Sequence, residues 1–108
     1  MVQEEILKLL EKNGEMFGKE ILDALRNNTE AKECIKRNLK QMRLYKEVGF
    51  IRVGIHVEWN SGFLDVCIDD SKPAKKVKVE TVCKNHPKVR EKLEQRKITR
   101  PCYLYFVK

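Results

Sequence analysis

The apolar residues of this chain change their spacing close to residue 49. Before that point they recur every three or four residues, the repeat of helices packed along one stripe. After it, in GFIRVGIHVEW, they alternate. Ile51, Val53, Ile55, Val57 and Trp59 fall on one face, with Phe50, Arg52, His56 and Glu58 on the other. That is the pattern of a half-buried strand. A helical block followed by a strand block places the chain in the α+β class.

Three helices are expected in the first block. Ile6, Leu7, Leu9 and Leu10 stand among Glu and Lys over residues 2–12, and Asn13-Gly14 ends that helix, since glycine readily adopts the left-handed turn that closes one. Met16 and Phe17 lead into a second helix over Gly18–Arg26, with Ile21, Leu22 and Leu25 on one side. Thr29 is suited to cap a third helix that runs to Met42 or Leu44, because its hydroxyl accepts a free N–H of the first turn. Lys32 stands where a full capping box would need Glu.

In the second block, NSG at 60–62 turns the alternating strand into FLDVCID, where Leu64, Val66 and Ile68 alternate. The pair reads as a β-hairpin. DDSKPAKK is a loop, VKVETVC a third strand, HPKVREKLEQRK a short helix with Pro87 near its first turn, and CYLYFVK a closing strand. At 108 residues the chain is expected to be a single domain. It has no long apolar run to span a membrane and no basic-then-apolar leader, so a cytoplasmic location without a membrane partner is expected.

Charge is unevenly placed. Residues 1–30 hold four basic and seven acidic side chains, residues 31–60 seven and three, and residues 61–108 twelve and six. The acidic start masks a basic remainder, and a one-sided cationic surface favours polyanions. The third helix concentrates this asymmetry. With Lys32 set at zero, Arg43 falls near ~20°, Lys36 near ~40°, Lys40 near ~80° and Arg37 near ~140°. Ile35, Leu39, Met42 and Ala31 fall between roughly 260° and 340°. One wall is apolar. The other carries five cations, with Glu33 as its only anion. Like charges three or four residues apart repel, so a helix kept only for solubility tends to alternate signs, as Glu4, Lys8 and Glu11 do in the first helix. An ordinary solvated face is the competing reading.

The order helix, helix–turn–helix, β-hairpin resembles the winged helix-turn-helix domain. The likeness covers about residues 3–69 and is carried by KEILDALRNNTEAKECIKRNLKQM and RLYKEVGFIRV, with Ala24 and Leu25 where that family packs its two helices. It implies double-stranded DNA as the partner, a role in transcription regulation, a homodimer and no enzymatic activity. The third helix would enter the major groove. Asn28, Lys32, Lys36 and Arg37, with Glu30 and Glu33, would then lie toward base edges, and Lys40, Arg43 and Lys46 would hold phosphates. The sequence departs from the family in RNN, which lacks the usual glycine, and in a short uncharged NSG wing. The lysines of SKPAKKVK (Lys72, Lys75, Lys76 and Lys78) are placed to hold phosphate instead, Lys75 and Lys76 foremost. Residues 70–108 form a strand–helix–strand extension that either widens the sheet or builds a dimer contact. Winged helices also serve as protein-interaction modules, and an RNA-binding protein is a further alternative.

Other chemistry is thinly represented. Cys83-x-x-His86 makes one close pair of zinc-ligand types, with Cys67 and Cys102 elsewhere. Structural zinc wants four ligands, so no metal or other cofactor is assigned. The cysteines, Cys34 included, read as free thiols, mostly in the core. Ser61 and Ser71 lie in turns without a nucleophile-elbow pattern. Asp65, Asp69, Asp70 and Glu80 fit solvated turn chemistry better than a nuclease centre. Trp59, Tyr103, Tyr105 and Phe106 at strand spacing suit a core better than a base-stacking platform.

Overall fold

The first helix stops where Asn13-Gly14 predicts. Gly14 takes a φ of +82°, which glycine enters without strain. Its N–H donates to the Leu10 carbonyl at 2.8 Å, and the Asn13 side-chain amide donates to the Leu9 carbonyl at 3.0 Å. Two carbonyls of the last turn are thereby satisfied.

The structure is a computed structural model and describes residues 2–25, 32–55, 62–94 and 101–107. Among these residues the fold is α+β, in the order α1 (Val2–Asn13), β1 (Glu15–Phe17), α2 (Gly18–Leu25), α3 (Lys32–Leu44), β2 (Gly49–Ile55), β3 (Phe63–Cys67), β4 (Lys75–Lys78), α4 (Val79–Asn85), α5 (Pro87–Glu94) and β5 (Cys102–Phe106). The expected capping residue Thr29, the end of the second helix at Arg26 and the strand positions Val57 and Trp59 lie outside the described residues. The chain divides into two compact units, Met1–Phe50 with Leu104–Lys108, and Ile51–Tyr103.

In the first unit α1, α2 and α3 pack against one another. Ile6, Leu10, Ile21, Leu25, Ile35, Leu39 and Met42 are buried with Leu104 and Tyr105. Leu25 packs inward as expected, but Ala24 is exposed. The strand order in this unit is β1-β5-β2. β1 runs antiparallel to β5, with Glu15 opposite Phe106, Met16 opposite Tyr105 and Phe17 opposite Leu104. Periodicity does not reveal β1. Three residues are too few to show a repeat, and the partner lies at the far end of the sequence. The chain then enters α2 directly. The Glu20 carboxylate accepts the Phe17 N–H at 2.9 Å, the acidic half of a capping box.

At Gly49 the backbone stands close against the Phe106 ring. A Cβ there would lie 2.9 Å from Cζ of that ring and closer still to Cδ2 and Cε2. An aromatic ring laid over a strand glycine supplies the packing that the missing side chain cannot. Gly49→Ala is expected to cost about 1–3 kcal/mol by overpacking. In urea titrations, Gly49→Ala and Phe106→Ala should couple rather than add; strict additivity would refute the contact.

In the second unit the order is β5-β2-β3-β4. β2 and β3 are antiparallel, with Val53 opposite Val66, and β3 and β4 likewise, with Leu64 opposite Val77. Ile51 and Val53 are buried, as the alternation requires. Two expectations fail here. VKVETVC is not one strand, because the strand is Lys75–Lys78 and Val79–Asn85 is helical. The extension therefore holds two helices, not one. Val79, Val82 and Cys83 lie at i, i+3 and i+4, and Val82 and Cys83 are buried. That helical spacing outweighs the single alternation of Val77 and Val79. Ile68 is the second case. It lies past the end of β3 and is 66% exposed, whereas Cys67 is buried. A turn begins there, in which the Asp69 carboxylate accepts the Ser71 N–H at 3.0 Å and its hydroxyl at 2.8 Å. α5 begins at Pro87 and buries Val89, as its pattern predicts. None of the four cysteines is in a disulfide, and Cys67 and Cys83 are buried. Burial pushes the Cys83 thiol up, Arg90 opposes this and Glu94 adds to it.

Candidate nucleic-acid interface on α3

Helical periodicity gives α3 two different walls. Ile35, Leu39 and Met42 are between 0% and 4% exposed. Lys32, Lys36, Arg37 and Lys40 are exposed. Lys32, Lys36 and Lys40 stand four residues apart, so they form one row along the helix. None of the four cations makes an ion pair among the described residues. Glu33 is exposed as well. Asn28 and Glu30 lie outside the described residues.

Arg43 differs from the other cations. It is half-buried. Its guanidinium donates to the Tyr105 hydroxyl at 2.6 Å and lies 6.0 Å from the Phe50 ring centroid. Tyr105 is itself only 2% exposed. A charge-assisted bond of this kind holds the end of α3 to β5, so Arg43 has a part in the fold that the other cations lack. Sequence spacing carried no sign of this, because the partner hydroxyl is sixty-two residues away.

Past Leu44 the helix closes by a Schellman motif. The Glu47 N–H donates to the Met42 carbonyl at 2.9 Å and the Lys46 N–H to the Arg43 carbonyl at 3.2 Å. Lys46 sits at the left-handed position, with φ +56°. A non-glycine residue costs about 1–2 kcal/mol there, and glycine forfeits about 0.5–1 kcal/mol in chain entropy. Lys46→Gly is therefore expected to raise stability by roughly 0.5–1 kcal/mol. Thermal melting should show a rise of a few degrees, and a fall would mean that the turn is wrongly described.

The remaining predicted residues belong to the second unit. Lys75, Lys76 and Lys78 are exposed on β4, the last strand of its order. Lys76 Nζ lies 4.3 Å from the Phe63 ring centroid, a cation–π contact. Lysines on an edge strand also discourage pairing with another copy. Asp70 accepts the Tyr103 hydroxyl at 2.9 Å and lies 3.8 Å from the Arg52 guanidinium. The hydrogen bond with Tyr103 raises the Arg52 pKa against the opposing effect of burial. The Asp69 and Asp70 carboxylates are thus held in turn and side-chain bonds. Among the described residues no three His, Cys, Asp or Glu side chains are grouped to hold a metal ion, and no helix is long and apolar enough to cross a membrane.

Leu44 and Tyr45 stand at the end of α3 without a role read from the sequence. They are 61% and 74% exposed. The signal was present for Leu44, which falls near ~120° on the same helical projection, between Lys40 and Arg37. No family model, curated protein or solved structure matches the chain.

Proposed function

We propose that the chain binds double-stranded DNA through α3, as a winged-helix transcriptional regulator. The observation that carries this reading is the exposed row of Lys32, Lys36 and Lys40 with Arg37 beside it, none of them ion-paired among the described residues. Four neighbouring cations that outnumber the one exposed anion Glu33 and are not ion-paired cost self-repulsion, and a polyanion removes that cost while releasing its own condensed counterions. Order along the chain supports the same reading: three mutually packed helices, then the β2–β3 hairpin. Lys46 adds a fifth exposed cation just past the helix end. A homodimer would present two such helices to successive half-sites.

Fluorescence anisotropy of a labelled duplex tests the proposal at two salt concentrations. Four phosphate contacts predict a log–log slope near about −3.6, so affinity should fall roughly 100-fold between ~50 and ~200 mM salt. Binding without a salt slope, or no binding, favours a protein-interaction module. Preferential displacement by duplex RNA favours an RNA-binding protein.

A further inference from the structure

We propose that Tyr45, with Leu44 beside it, stacks on a nucleobase, so that the preferred nucleic acid carries at least one unpaired base next to a duplex. This rests on the reading of α3 as a nucleic-acid helix and names the ligand more closely. Tyr45 is 74% exposed. Among the described residues the other aromatic side chains are buried or half-buried. Tyr105 accepts from Arg43, Tyr103 is bonded to Asp70, Phe106 covers Gly49, and Phe63 lies under Lys76. The aromatics that alternate at the C-terminus are thus occupied within the fold, and the ring left open among the described residues stands at the end of α3.

Its surroundings select the occupant. Leu44 continues the cationic wall one turn beyond Lys40, and Lys46 follows Tyr45 in sequence. The Tyr45 N–H is held by the Gln41 carbonyl at 2.9 Å, and the next two N–H groups close the Schellman turn, so the backbone that carries the ring is fixed. An open ring flanked by lysines suits a ligand that pairs anionic phosphates with flat apolar faces, which is what a base next to its backbone presents. A second copy is disfavoured. A two-fold contact at this patch would bring Lys40 and Lys46 against the same residues of the other chain. An anionic membrane is disfavoured too. An interfacial helix needs an open apolar face, and here Ile35, Leu39 and Met42 are buried.

The test compares a blunt duplex with the same duplex carrying a short single-stranded overhang, using the wild-type chain, Tyr45→Ala and Tyr45→Phe. One stacked base is expected to give the wild type about a tenfold preference for the overhang duplex. Tyr45→Ala should abolish the preference and leave blunt-duplex affinity and salt slope unchanged. Tyr45→Phe should keep it. Equal wild-type affinity for the two duplexes, or a preference that survives Tyr45→Ala, overturns this proposal and leaves the α3 reading standing. No binding to either duplex overturns the α3 reading itself. Binding to phosphatidylserine vesicles that Tyr45→Ala abolishes, without an overhang preference, assigns the patch to membranes and overturns the proposal.

Discussion

Replacing Lys36, Arg37 and Lys40 together by alanine is expected to weaken duplex binding roughly 10²- to 10³-fold near ~0.1 M salt. The magnitude follows from counterion release. Each phosphate contact adds about 0.9 to the salt slope, and at ~0.1 M that is about 0.9 of a decade in affinity. The slope itself should become shallower by about 2 to 3 units. Folding should be nearly untouched. All three side chains are exposed and make no ion pair among the described residues, and surface substitutions of that kind usually stay within about 0.5 kcal/mol. Melting should therefore move by no more than about 4 °C for each substitution. An unchanged affinity in a well-folded triple variant would show that α3 does not meet the polyanion. Arg43 does not belong in this set. Arg43→Ala removes the bond to Tyr105, and a loss of binding in that variant would be confounded with a loss of structure.

Ile35→Ala is expected to do the opposite, lowering stability by about 2–5 kcal/mol. Ile35 is 1% exposed and lies beside Lys36 on the same helix. The loss combines the transfer of the deleted carbons with the cavity they leave. Against a typical total of about 5–15 kcal/mol, a change of this size takes away a large part of the folding stability. In urea the midpoint should fall with the slope of the transition unchanged. Lys36→Ala, one residue along, should leave that midpoint where it is. Equal midpoints for Ile35→Ala and the wild type would mean that the two walls of α3 have been exchanged.

Legibility divided along physical lines. α1, α2, α3, β2 and α5 were readable because each repeats its apolar residues over several turns or several alternations. The Asn13-Gly14 stop was readable because its cause is local. VKVETVC was misread because it offers two repeats at once, and the buried pair Val82 and Cys83 chose the helix. Ile68 was misread because the Asp69 turn cuts the alternation short. The candidate site follows the same division. The row Lys32, Lys36 and Lys40 could be placed from spacing alone. Arg43 could not be separated from that row, because its projection angle is as cationic as theirs and only a distant hydroxyl distinguishes it.

The sequence by itself determined the α+β class, the change of period near Gly49 and the two-walled character of α3. These depend on backbone repeats of 3.6 and 2 residues, which act between near neighbours and need no partner. Tertiary structure alone decided that Glu15–Phe17 is a strand, that Arg43 is bonded to Tyr105, and that Tyr45 stands open while Tyr105 is enclosed. Each of those outcomes depends on what the far end of the chain brings alongside. Spacing along a sequence carries no record of contacts that the chain makes only after it has closed on itself.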